Sequence, residues 1–206
     1  MTRNTPSTED KIKEAARKLF VEKGFGNATT RDIAECADTN VALVNYYFRS
    51  KENLFQAVFQ ESFAQTFVPI AGILNDDLPL EAKIYKFVDH ITELLKRAPM
   101  LPIFILSEMR GEHAPMCRAM QQAGAMQPAC GFQKQLEEEA AKGNIRQVDA
   151  RQVEANLMAL VLFPFLSMNI LKMKHQLTDE DFFKFIDERK KVIPETILAY
   201  LRSGID

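Results

Sequence analysis

The sequence predicts an all-α chain of 206 residues. Apolar residues recur mainly at spacings of three and four, and no alternation of β-branched residues persists anywhere. Glycine (8) and proline (9) are sparse, and a hydrophobic content of 47% is ample for a buried core.

Ser7, followed three positions later by Asp10, marks a helix start, and Ile12, Ala15, Ala16, Leu19 and Phe20 then form one apolar stripe that Gly24 ends. Thr29 and Asp32 repeat the capping pattern ahead of Ile33, Ala34 and Ala37, the buried face of a short second helix. Asp38-Thr39-Asn40 is the turn. Asn40 can cap a third helix, Val41 to Phe48, with Leu43, Val44 and Tyr47 turned inward and Val41, Ala42, Asn45 and Tyr46 left outside. A fourth helix begins at Lys51, carries Leu54, Phe55, Val58, Phe59, Ser62 and Phe63 at helical spacing, and reaches about Gly72.

Pro69, Asn75-Asp76-Asp77 and Pro79 mark a junction, after which Met, Phe and Leu become more frequent. The expected division is a domain over 1–65 and a larger helical domain over 66–206. In the latter, helices are expected at roughly 80–97, 100–110, 114–142, 149–173 and 179–202, punctuated by Ala98-Pro99, Gly111, Gly143-Asn144 and Thr178.

The N-terminal Met1 to Pro6 has no apolar core of a signal peptide, so a cytoplasmic protein is expected. The longest apolar run, Leu157 to Leu171, is short for a membrane span and contains Pro164, Ser167 and Asn169; a buried helix, without membrane partners, is the reading. Cys36, Cys117 and Cys130 are odd in number and irregular in spacing, which fits reduced thiols. Net charge gives little: residues 1–60 hold nine Lys/Arg against eight Asp/Glu, residues 61–206 seventeen against twenty. Whatever the first sixty residues bind, bulk electrostatics does not reveal it.

The motif does. Two short helices joined by a three-residue turn, with a third in front, match the trihelical helix-turn-helix, whose last helix enters the major groove of double-stranded DNA. The stretch Thr29 to Ala37, then Val41-Ala42-Leu43-Val44-Asn45-Tyr46-Tyr47-Phe48, then Ser50-Lys51-Glu52-Asn53-Leu54, together with Ala15 to Phe20 and Gly24-Phe25, resembles the tetracycline-repressor (TetR) family over about residues 8–65. The resemblance implies a phosphate contact for Thr30 and a phosphate or base contact for Arg31. It places Val41, Ala42 and Asn45 where bases are read, Tyr46 and Tyr47 on the backbone, and Lys51 on a phosphate, with Asn40 capping the recognition helix. Two departures stand out: Asp38 replaces the usual turn glycine, and Asn45 stands where an aromatic is common.

The resemblance also implies that the last two helices pair with a second copy. Val153, Leu157, Leu160 and Val161 on one, and Ile186, Ile193, Ile197 and Leu201 on the other, supply apolar surface for such a homodimer, although internal core is the alternative use. A twofold dimer implies a palindromic operator. The family further places a pocket for a small apolar or amphipathic effector, for which Phe63, Phe67, Phe87, Met100, Phe104, Met120 and Phe163 are candidates, with Ile91, Met109, Met116, Met126 and Met168. The same residue types fill any helical core. His113 and Cys117 are four apart but separated by Pro115, with no third metal ligand, and neither His90 with Glu93 nor His175 makes a catalytic constellation. The expectation is a DNA-binding regulator and not an enzyme, without cofactor or metal; the alternative is an architectural DNA-binding or interaction protein of the same fold with no inducer.

Overall fold

The computed structural model describes residues 7–108, 115–122 and 129–204, with backbone alone at 61–67, 71, 108, 115 and 116. The side chains of Phe63, Phe67 and Met116, and all of Met109, His113 and Met126, lie outside the described residues. Regular structure within them is entirely helical: α1 (Thr8–Asn27), α2 (Thr30–Cys36), α3 (Val41–Phe48), α4 (Lys51–Asn75), α5 (Leu80–Arg97), α6 (Leu101–Glu108), α7 (Pro115–Gln122), α8 (Cys130–Ala141), α9 (Ala150–Leu166), α10 (Met168–His175) and α11 (Asp179–Arg202). They divide into two compact units. One holds α1–α3, α4 to Val68, α6 from Phe104, and α7; the other holds α4 from Pro69, α5, α6 to Ile103, and α8–α11.

In the first unit each early helix starts where the chain supplies a cap. Ser7 Oγ accepts from Asp10 N (3.1 Å) while the Asp10 carboxylate accepts from Ser7 N (3.2 Å). Thr29 and Asp32 form the same reciprocal pair at 3.1 Å each way, and Asn40 Oδ1 accepts from Leu43 N at 2.9 Å. A cap of this kind is worth about 1 kcal/mol. Gly24 bends α1 and does not end it: its φ of 78° suits glycine, and the chain stays helical to Asn27. Asp38 (φ 50°) makes the left-handed turn that lets Thr39 N donate to Ala34 O at 2.9 Å and closes α2. Ile12, Ala16, Phe20, Ile33, Val44, Leu54 and Phe55 form the centre of the core. Phe20, Phe25, Phe55 and Phe59 interlock, Phe55 and Phe59 at 4.6 Å between centroids, and Phe104 joins through Phe59 at 5.3 Å. Each buried ring contributes about 1.5–3 kcal/mol.

The second unit is built on α5, α9 and α11. Ile84, Phe87, Val88, Ile91 and Leu95 of α5 meet the inner faces of α9 and α11 in one core. A charge cluster runs along the α5–α11 seam: Lys96 to Asp187 at 2.6 Å, and Lys190 to Asp89 at 2.9 Å and to Glu93. α8 lacks a side-chain cap of its own, and Asn75 supplies one from the end of α4, its Oδ1 accepting from Gly131 N at 2.8 Å. The approach favours glycine, since a Cβ at 131 would lie 3.0 Å from that oxygen and 3.1 Å from the Asn75 Cα, so that Asn75 would have to give way.

Several sequence expectations change. The helix expected over 114–142 is two, because Ala129 is not helical (φ −82°, ψ 59°). The one expected over 149–173 breaks at Ser167 into α9 and α10, bent 65° apart. Ser167 leaves helical geometry (φ −106°, ψ 16°), while Pro164, inside α9, has no N–H for the Leu160 carbonyl four residues back. Arg189 of α11 fills that gap, Nη2 donating to Leu160 O at 2.9 Å. Four residues on, Ser167 Oγ donates to Phe163 O at 2.8 Å where the helix stops. Among the described residues no single helix is long and apolar enough to cross a membrane.

The largest correction concerns the surface expected to meet a second copy. Val153, Leu157, Val161, Ile186, Ile193, Ile197 and Leu201 are all buried by the chain itself, none more than 2% exposed, and Leu160 is half-buried beside Arg189. They form the internal core. A continuous stripe of Ala155, Ala159, Phe163, Leu166 and Ile170 instead faces solvent from α9 and α10, with Val192, Thr196 and Ala199 exposed on α11.

Candidate nucleic-acid interface

Two residues of α3, Val44 and Phe48, four apart, are buried in the first unit's core, Val41 packs on that core half-buried, and the other side chains of the helix are left to solvent. Ala42, Leu43, Asn45, Tyr46 and Tyr47 are exposed and Val41 is half-buried. Of the three residues expected inward Val44 is buried, but Leu43 and Tyr47 are exposed, Tyr47 at 40%, and the helical repeat gives the second buried position to Phe48. Tyr46, opposite the anchored face, is 78% exposed, and its ring stands edge-on to Tyr47 at 5.3 Å. The Asn45 amide and both tyrosine hydroxyls have no hydrogen-bond partner among the described residues. Arg49 closes the helix with a positive φ of 64° and an exposed side chain.

At the start of α2, Thr30 is half-buried and Arg31 exposed, with no ion pair to Arg31 among the described residues. The Asp32 carboxyl beside them is held below the usual carboxylate range, first by the Thr29 N–H, then by the Thr29 hydroxyl, with Lys23 at 3.5 Å adding to the effect. Ionised Asp32 therefore serves the helix start. It also puts a negative charge next to Arg31.

Lys51 differs most from its sequence reading. Its Nζ donates to Phe25 O (2.8 Å) and Ala28 O (3.1 Å) and lies 4.4 Å above the Phe25 ring. The ammonium satisfies carbonyls at the end of α1 and fixes the start of α4 to them. Two of its three N–H groups are spent inward. Carbonyls left over where Gly24 bends α1 were the available sequence signal, but nothing local named their partner.

The residues expected around an effector are divided between the cores of the two units and the surface. Phe87 and Ile91 are buried in the second unit's core, Met168 packs on it half-buried, and Phe104 and Met120 pack on the core of the first. Met100 (56% exposed) and Phe163 (62%) are surface residues, which corrects their assignment to a pocket lining. Among the described residues no group of three His, Cys, Asp or Glu could hold a metal ion.

An exposed, capped α3 behind α2 is the arrangement of a helix-turn-helix reader. Comparison with known proteins agrees. Residues 12–58 match the family described as bacterial regulatory proteins, tetR family. The chain is 26% identical over 191 residues to the protein named "Probable HTH-type transcriptional regulator YttP" of Bacillus subtilis, covering 90% of this chain and 91% of that one. It is 30% identical over 109 residues to the HTH-type transcriptional repressor NicS of Pseudomonas putida, about half of each protein (52% and 51%). Among solved structures, HlyIIR, a hemolysin II transcriptional regulator, superposes with a TM-score of 0.60 at 22% identity (96% of this chain, 98% of that one). FadR from Bacillus subtilis in complex with stearoyl-CoA does so with 0.57 at 18% (95% and 98%). These two likenesses concern the fold.

Proposed function

We propose that the chain, whose residues 12–58 match the tetR family of bacterial regulatory proteins, is a DNA-binding transcriptional regulator of that kind, a homodimeric repressor that grips a palindromic operator and lets go when an amphipathic effector binds. The observation that supports this best is α3 itself, a capped helix anchored by Val44 and Phe48 that offers Ala42, Asn45 and Tyr46 to solvent. In the proposal Val41, Ala42 and Asn45 read bases, and Thr30, Arg31, Tyr46 and Tyr47 hold the backbone. Lys51 acts mainly by positioning, since its ammonium ties α4 to the end of α1.

The dimer face we put forward is the exposed stripe on α9 and α10 with Val192, Thr196 and Ala199 of α11, because α9 and α11 pack side by side and both leave small or apolar residues uncovered. An effector with a long apolar chain and a polar head suits the reading; the similarly folded FadR was solved with stearoyl-CoA. Such a ligand can act only through different affinities for the DNA-competent and DNA-incompetent states.

Selection of bound sequences from random duplex DNA tests the proposal. The expected result is an inverted repeat with half-sites spaced by about 10 base pairs or a multiple of it. Affinity for the recovered operator is then measured with and without long-chain acyl thioesters and fatty acids. Recovery of a single unrepeated site would remove the dimer from the reading. Unchanged operator affinity with effector-class ligands that do bind the protein would remove the release mechanism and favour a regulator without an inducer.

A further inference from the structure

Resting on the reading of α3 as the base-reading helix, we propose that its half-site centres on A·T pairs, with Asn45 bound bidentately to an adenine and the methyl groups of Val41 and Ala42 against thymine methyls. Each base pair shows the major groove its own donors and acceptors: guanine is read by Arg or Lys, cytosine by Asp or Glu, adenine by Asn or Gln, and thymine by apolar contact with its methyl. α3 runs Val-Ala-Leu-Val-Asn-Tyr-Tyr-Phe and has no charged residue at all. It lacks the side chains that read guanine or cytosine in this way.

What it has is one amide and several methyl groups. Asn45 is exposed and its amide has no partner among the described residues, so both the carbonyl and the NH2 are available to adenine N6 and N7. Ala42, exposed, lies three residues before Asn45, and Val41, packed half-buried on the first unit's core, lies one helical turn before it, which sets the apolar contacts around the amide on one side of the helix. Tyr46 and Tyr47 stand edge to face across the tip and reach out with hydroxyls, a shape suited to the phosphate walls of the groove. Arg31 on α2 and Arg49 at the end of α3 lie outside the segment Val41 to Tyr46.

The test uses the full-length protein and the operator recovered by selection. Replacing the proposed adenine by 7-deazaadenine removes the N7 acceptor while keeping Watson–Crick pairing. Wild-type affinity is expected to fall roughly 5- to 150-fold at one position per half-site. Asn45→Ala, at an exposed site, is expected to bind more weakly and to lose discrimination between adenine and its deaza analogue. Replacing the flanking thymines by deoxyuracil is expected to weaken wild-type binding several-fold. A selected half-site with an obligatory G·C pair under α3, or a deaza substitution without effect at every adenine, overturns the inference while leaving DNA binding intact. Failure to recover any preferred DNA, or an α3 shown not to contact it, overturns the reading of α3 together with the inference.

Discussion

Thr29 and Asp32 fix where α2 begins, and the pair has a pH signature. Because the Thr29 N–H and hydroxyl stabilise the ionised Asp32, its carboxyl lies below the ordinary aspartate value of about 3.9. The unfolded chain therefore takes up the proton first as pH falls. The contribution to stability is fully present above about pH 4 and is lost as pH drops through the lowered value of the folded chain. Asp10 and Asp181, at the same place in their own capping boxes, are lowered likewise by Ser7 and Thr178. Asp32→Asn is expected to reduce the melting temperature at pH 7, and the difference from wild type should shrink steadily below about pH 4. Thermal melts followed by circular dichroism check this; a difference that stays constant to pH 2 would show that the ionised capping box is not its source. Lys51 marks the limit of such local reasoning. Its charge is plain in the sequence, but its partners lie 26 and 23 residues away in the chain, at Phe25 and Ala28.

Helix starts were legible for the same reason that Lys51 was not. Thr29, Asn40 and Thr178 each reach a partner within three residues, so sequence alone locates α2, α3 and α11. The inner residues of α9 and α11 were visible as stripes, but periodicity shows only that a face is buried, not what buries it. Val153, Leu157 and Ile193 serve the chain's own core, and Phe163, which breaks the expected pattern, is outside. The break at Ser167 was hidden in a long apolar run, although Pro164 signalled a missing N–H. Arg189 takes up the carbonyl that this proline leaves without its helical partner. Its guanidinium lies 5.6 Å from the Phe185 ring, donates to the Leu160 carbonyl, and leaves its own Nε buried without a partner among the described residues. Arg189→Met should orphan that carbonyl and destabilise the chain by about 1–3 kcal/mol. In a Pro164→Ala background the restored N–H can take the carbonyl, so the same substitution should cost less than about half as much. Denaturant unfolding of the four proteins measures the coupling; equal costs in both backgrounds would mean that Arg189 acts by packing alone.

At the scale of the molecule, the two faces of α9 make opposite demands on mutation. Leu157 is fully buried, so Leu157→Ala removes core and leaves a cavity; a loss of about 2–5 kcal/mol is expected. It should not change the assembly state, because the residue touches no surface through which a second copy could dock. Phe163 is 62% exposed with Ala159 and Leu166 beside it on the same stripe. Phe163→Glu takes nothing from the internal core and places a charge where the proposed twofold contact would bury it, next to its own symmetry mate. The expected product is a chain that keeps its helical spectrum, sediments as a monomer and binds a single half-site more weakly than wild type binds the full repeat. Sedimentation velocity and a binding titration on full and half operators separate these outcomes. A Phe163→Glu protein that stays dimeric and binds the full operator normally would move the dimer contact away from α9; a Leu157→Ala protein that is stable but monomeric would return it to the inner face.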